Sequence, residues 1–206
     1  MSETKPMLPS NSLKTKGRFR QQGVGMIEVL ISTLLLSIGI LNIAGLQTAA
    51  KKSNYTAIQR TSATILARDI VEKMRANPVS LDRYLTSAVG DASLNQPGTT
   101  CTVAAKCNPL QLAAYDMWQW EDIMDGASES RDIDGVNTET GGLSDPTGCI
   151  TGPVAGGAGV YTVSIVWRGL TELANVSANA CGVGSGKYGA NEEFRRLLTF
   201  DTYIAP

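Results

Sequence analysis

The sequence predicts an α+β fold in which a long N-terminal helix, membrane-spanning in its first half and amphipathic in its second, packs on an antiparallel β-sheet head. Three observations carry this. Residues Val29 to Ala50 are 22 consecutive residues without a charge, about 33 Å of helix against a hydrocarbon core of about 30 Å. Apolar residues then recur at four-residue steps with no proline before Pro78. Late in the chain, two segments alternate apolar and polar side chains with the period of a half-buried strand.

Length and charge bound the possibilities. A chain of 206 residues has room for one domain plus an anchor. The formal charge of -1 hides an asymmetry, because residues 1–23 hold Lys5, Lys14, Lys16, Arg18 and Arg20 against Glu3, a net of +4, which leaves -5 for the remainder. Basic flanks stay on the cytoplasmic side of a spanning helix, so the acidic remainder is expected outside. Beyond that tail there is no basic patch of the kind nucleic acid demands. The chain has no histidine, which removes His-based triads and His-ligated metals, and no nucleophile stands at motif spacing from a base. No enzyme activity, cofactor or metal is therefore expected. An ordinary secretory signal has an apolar core of about 7 to 15 residues; a cut near Thr48 to Ala50 is the alternative, and it would discard the helix. Residues 1–22 lack apolar periodicity and read as a disordered processing signal.

The apolar run has an acid at its front edge, Glu28, and a charge costs on the order of 2.5 to 3.5 kcal/mol if it reaches the bilayer centre. One reading leaves Glu28 at headgroup level, simply tolerated. The local order offers another: a basic tail, Gly23, four small or apolar residues (Val24, Gly25, Met26, Ile27), then Glu28 and the long apolar helix. That order resembles the class III leader of type IV pilins, in which a prepilin peptidase cuts after the glycine and the acid is the fifth residue of the mature chain. The resemblance implies cleavage between Gly23 and Val24 and N-methylation of Val24, where Phe or Met is commoner in the family. It also implies that Glu28 pairs, in the filament core, with the positive amino terminus that Val24 carries on a neighbouring subunit.

Beyond Leu46 the helix is expected to continue to Asn77, since the Pro78 ring disfavours helical angles in the residue ahead of it. Gly39, Gly45 and Asn42 lower helix propensity in its first half. Ile58, Ser62, Leu66, Ile70 and Met74, with Ala63, Ala67 and Val71 beside them, form a narrow apolar stripe. Arg68 with Glu72 and Asp69 with Lys73 stand four apart on other faces.

In the head, Pro109 to Asp125 reads as a second helix, with proline at its start and Gly126 as its stop. Leu110, Ala113, Met117, Trp120 and Met124 share one face; Trp118 and Trp120 form a ligand box or, as an apolar stripe does more often, part of the core. Residues 126–159 look like a long loop. Within it Asp132, Asp134 and Asn137 are oxygen ligands for calcium or the residues of an Asp-Gly turn, and the EF-hand spacing is not met. Tyr161, Val163, Ile165 and Trp167 alternate with Thr162, Ser164, Val166 and Arg168, and Phe194, Leu198, Phe200 and Ile204 repeat the pattern less cleanly. Between them GVGSGKYG, Gly182 to Gly189, resembles a phosphate loop only superficially and reads as a flexible connection. Cys101, Cys107, Cys149 and Cys181 all follow the apolar run, an even count on the oxidising side. Three connectivities are possible; Cys101 with Cys107 and Cys149 with Cys181 is preferred because it leaves two independent local loops.

ILARDIVEKMRANP from Ile65 to Pro78, AAYDMWQW from Ala113 to Trp120, and the late YTVSIVW and FRRLLTF strands are similar to the PilV family of type IV pilus minor pilins. The implied organisation is a cleaved leader over 1–23, a transmembrane and filament-core half-helix over 24–50, an amphipathic half over 51–77 and a periplasmic head over 78–206. The implied role is structural: a minor pilin that primes assembly in a tip or initiation complex, supporting adhesion and twitching motility. Its partners would be the prepilin peptidase, other minor pilins and the major pilin through the N-terminal helix, a large tip adhesin and the inner-membrane assembly platform. The chain would span the inner membrane once before assembly and then leave it for the extracellular pilus, at its tip. A minor pseudopilin of type II secretion and an adhesive head module remain the rival readings.

Overall fold

The computed structural model describes residues 23, 25–102, 104–127, 129–139 and 141–205; residues 1–22, where the leader tail is expected, lie outside the described residues. The chain divides into two units with the border between Gln47 and Thr48. Helix α1, Met26–Ala76, contributes to both. It contains no proline, and it stops where the sequence turns to Asn77-Pro78: the Asn77 N–H still donates to Lys73 O at 3.1 Å, after which Pro78–Tyr84 form a 3-10 turn.

The second unit is built on the outer part of α1. The face that α1 buries is Gln59, Ala63, Leu66, Ala67, Ile70, Val71 and Met74. This corrects the expected stripe at its start, because Ile58 is 61% exposed while Gln59 is only 6% exposed. The reason is polar: Gln59 Nε2 donates to Gly142 O (3.2 Å) and its Oε1 accepts from the Ser144 N–H (3.1 Å), so a buried amide satisfies a passing chain that an isoleucine would leave unpaired. The ion pair of Asp69 with Lys73 forms at 3.2 Å; Glu72 instead takes Arg75, at 2.8 Å.

Helix α2, Pro109–Asp125, begins with a capping box. Asn108 Oδ1 accepts from the Gln111 N–H (2.9 Å) and Gln111 Oε1 accepts from the Asn108 N–H (3.0 Å). It ends on Gly126, left-handed at φ 109°, whose N–H donates to Asp122 O. Ala113, Met117, Trp120 and Met124 are buried as expected, whereas Leu110 is exposed. Trp120 is a core residue, and its Nε1–H donates to Leu66 O of α1 at 3.0 Å.

Four antiparallel strands cover this layer in the order β1, β4, β5, β6: β1 is Thr86–Val89, β4 Thr147–Thr151, β5 Gly159–Arg168 and β6 Arg195–Ile204. A separate hairpin joins β2, Ser130–Ile133, to β3, Val136–Glu139. Both the hairpin and β4 fall in the stretch expected to be one long loop. The signals were too short: β4 is five residues with a glycine in it, and a Cβ on that Gly148 would lie 2.4 Å from Trp120 Cη2. β5 differs from a half-buried strand, because Val163 to Trp167 are buried on both faces. Tyr161, Val163, Ile165 and Trp167 join the core with α1, while Val166 packs with Cys149, Cys181, Tyr188 and Leu197 on the other side.

That outer layer also corrects the reading of Gly182 to Gly189 as a flexible connection. Tyr188 is fully buried, its hydroxyl 2.8 Å from Thr147 Oγ1. Arg195 donates to the carbonyls of Ser177, Asn179 and Cys181 at 2.5 to 2.7 Å and so fastens the preceding segment over the sheet.

Two carboxylates of α2 organise the opposite end. Glu121, 1% exposed, accepts four bonds of 2.5 to 2.8 Å: from the N–H groups of Gly90, Ser93 and Leu94 and from Ser93 Oγ. Asp125 accepts from the N–H groups of Asp91 (3.1 Å) and Ala92 (2.8 Å). The turn after β1 is thus wound around two acids. Glu121→Ala strands several of these donors, each costing about 1 to 3 kcal/mol when buried and unpaired. The expected result is a loss of ~3 kcal/mol in urea unfolding, with fast amide exchange confined to residues 90–94; a loss under ~1 kcal/mol would contradict this accounting.

A third acid, Asp116, is 7% exposed and accepts from Tyr84 Oη at 2.6 Å, while Asn77 Nδ2 donates to Tyr84 Oη (3.3 Å) and to Pro109 O (2.8 Å). Burial raises the Asp116 carboxyl above its ordinary value; the bond from Tyr84 and the Lys73 charge oppose this, and the Asp69 charge adds to it. The native state therefore favours the neutral acid. The contribution of Asp116 to stability is greatest below the unfolded carboxylate pKa and is lost as pH rises through the folded one. Asp116→Asn keeps an acceptor for Tyr84 and should flatten the urea midpoint between pH 4 and 7 relative to the parent, with no loss at pH 7. Parallel profiles for the two proteins would remove the assignment.

Candidate functional site

The amino end of α1 holds the residues singled out for processing. Gly23 is exposed, and a Cβ built on it meets nothing within 4 Å, so the described chain itself does not demand glycine there. Val24, expected to become the methylated amino terminus, lies outside the described residues. Glu28 stands in the first turn of α1, where the unpaired N–H groups of a helix start favour an anion. Its own N–H donates to Gly25 O at 2.9 Å. Among the described residues no ion pair or side-chain hydrogen bond reaches the Glu28 carboxylate.

Behind Glu28 the helix is apolar on every side. Thirteen large hydrophobic side chains from Met26 to Leu46 are each at least half exposed, and this part of α1 is long and apolar enough to cross a membrane. Its hydroxyls suit such a setting. Thr33 Oγ1 donates to Leu30 O (2.9 Å) and Ser37 Oγ to Thr33 O (2.8 Å), so neither needs water. The apolar helix therefore fits membrane anchoring.

A further apolar face, missed in the sequence, lies on the outer part of α1. Ile58 and Ile65, seven residues apart and about 60% exposed, border with Tyr55, Ser62 and Ile123 a groove of about 390 Å³. The seven-residue spacing of Ile58 and Ile65 is the available signal; the expected stripe holds Ile58 but not Ile65, although α1 carries two such faces.

The remaining candidate residues lie apart from these. Cys101 pairs with Cys107 and Cys149 with Cys181, with Cα–Cα distances of 5.4 and 5.9 Å; the second bond ties β4 to the outer layer. The Asp132–Asn137 segment is the tip of the β2–β3 hairpin, where Asp134 and Gly135 both have positive φ and Asp132 Oδ1 accepts from the Gly135 N–H at 2.7 Å. The turn thus engages Asp132; Asn137 has only its backbone described. In the glycine-rich segment the Gly184 N–H is taken by Glu192 Oε1 at 2.8 Å, and Lys187 Nζ by Asp91 Oδ2 at 2.6 Å, so these two groups already have anions of the chain's own.

Compared with known proteins, residues 45–118 match a family model described as Tt1218-like, type IV pilin Tt1218. These residues run from the end of the apolar half of α1 through β1 into α2. No curated protein and no solved structure matches the chain. The family match, the exposed apolar helix and the four-stranded antiparallel sheet together support a type IV pilin.

Proposed function

We propose that this chain is a minor pilin that primes assembly of a type IV pilus within an initiation and tip complex. The observation that carries the pilin part is Glu28: an acid in the first turn of a helix apolar all round, five residues after Gly23 and without a partner among the described residues. The likeness of Ile65 to Pro78 and Ala113 to Trp120 to the PilV family supports the minor-pilin part. In this reading residues 1–23 are removed by a prepilin peptidase and Val24 is methylated. Residues 24–50 hold the membrane and then the filament core, 51–77 form the spine of the head, and 78–206 face the periplasm and later the exterior. Partners meet it through the helix: other minor pilins, the major pilin and the assembly platform, with a large tip adhesin beyond.

The mechanism is electrostatic. A carboxylate and an ammonium attract with an energy that rises as the dielectric falls, and each is costly to leave buried alone. Cleavage creates the ammonium at Val24 and removes a tail of net charge +4. Glu28 of one subunit then draws the Val24 amine of its neighbour into register.

Gly23→Phe should leave a membrane-retained precursor, whereas the parent extracted from membranes should begin at a methylated Val24 by intact mass and N-terminal sequencing; a mature-sized Gly23→Phe product overturns the cleavage assignment. Glu28→Ala should still be cut at Gly23 but should reach sheared pili at about one tenth of the parent level or less, read by immunoblot. Equal incorporation in cells without a redundant subunit removes the inter-subunit role of Glu28.

A further inference from the structure

The uncharged run ends at Ala50, and the next five residues are Lys51, Lys52, Ser53, Asn54 and Tyr55. Lys51, Lys52, Ser53 and Asn54 are exposed on α1, and Tyr55 is half-buried. Among the described residues neither lysine side chain makes an ion pair or a hydrogen bond, while Lys73 and Lys187 of the same chain are both paired. At about 100° per residue, five consecutive helical positions encircle the axis, so the two ammonium groups, two small polar groups and a phenol form a collar and not a pocket. A run of 22 residues, about 33 Å, places that collar at the far headgroup layer when Glu28 lies at the near one. Lysine stems reach along apolar surface while the ammonium remains among polar groups, and tyrosine is enriched at the same level.

We infer that Lys51 and Lys52 are an anionic-phospholipid site on the extracytoplasmic leaflet, their ammonium groups bound to headgroup phosphates of lipids such as phosphatidylglycerol. A soluble phosphate would need converging donors; a collar fits a ring of lipids. The inference rests on the membrane span of the proposed function but not on filament assembly. It also adds a consequence to cleavage. The uncut chain is held by its basic tail on the inner side, and once residues 1–23 are gone the inner end keeps one amine and Glu28, so the two lysines become the larger positive charge beside the bilayer. Anchorage passes from the cytoplasmic to the outer leaflet.

The test uses the full chain in lipid nanodiscs of mixed phosphatidylglycerol and phosphatidylcholine, released into native mass spectrometry. K5Q/K14Q/K16Q/R18Q/R20Q serves as the background that silences the tail. In that background K51Q/K52Q should lower phosphatidylglycerol adducts about thirtyfold, the loss expected when two surface cations are removed, and should leave phosphatidylcholine adducts unchanged; K51R/K52R should retain them. Unchanged phosphatidylglycerol adducts in K51Q/K52Q overturn the site, and so does their equal displacement by inorganic phosphate. Because adducts are counted on the membrane-extracted chain, this readout is independent of pilus incorporation, and a failure there leaves it standing.

Discussion

A helix apolar on all sides and exposed on all sides is the constraint on which the rest of this chain depends. Burying one large hydrophobic side chain is worth about 1.5 to 3 kcal/mol. Thirteen of them between Met26 and Leu46 therefore represent on the order of 20 to 40 kcal/mol, more than the ~5 to 15 kcal/mol that holds a whole domain together. The folded head cannot compensate for keeping that surface in water. That surface calls for lipid or other apolar helices around it, and the proposed pilin role would supply both in turn.

The outer part of the same helix solves a different problem, which is to present one face to a sheet and keep another open. Small side chains make the close approach feasible. Ala63 and Ala67 are fully buried, and beside them Leu66 O accepts the indole N–H of Trp120. On the other side of that indole the β4 backbone comes so near at Gly148 that a methyl group does not fit. Trp120 thus ties α1, α2 and the sheet into one core, while Ile58 and Ile65 remain outside it.

What could be read beforehand follows from how local each signal is. Helix α2 was legible to its last residue, because Pro109 and Gly126 mark its start and its stop; the Asn108–Gln111 capping box came only with the structure. β5 was legible because Tyr161, Val163, Ile165 and Trp167 repeat long enough to exclude a helix. β1, β4 and the hairpin were not, since strands of four or five residues are too short to establish a period; among them only the Asp134-Gly135 turn could be seen. The burial of β5 on both faces depends on a segment some 15 to 25 residues downstream that has no regular structure, held by a disulfide and by Arg195. Asp116 and Glu121 were invisible for a further reason. An acid on a helix reads as a solvated surface residue until a neighbouring turn brings its N–H groups around it. At the candidate site, Gly23, Glu28 and the apolar run could be named in register, but the second apolar face required the head to show which stripe it uses.

The charged groups of the head set the standard by which Glu28 is judged. Glu121 is taken out of water and receives four donors, Arg195 is buried and meets three carbonyls, and Asp116 is buried and receives a phenol while its pKa moves toward neutrality. These three buried groups are met by partners from the same chain, as the cost of leaving them alone requires. Glu28 stands at the front edge of a run long and apolar enough to cross a membrane, and no such partner reaches it among the described residues. An acid in that position either stays at the bilayer edge or takes its donor from another molecule. In the proposed assembly the helix leaves lipid for a bundle, headgroups and water stay behind, and the counter-charge would come from the helix packed alongside. On that proposal the amine uncovered by cleavage after Gly23 would stand at the same distance from the acid in each subunit, and one pairing could repeat along a filament.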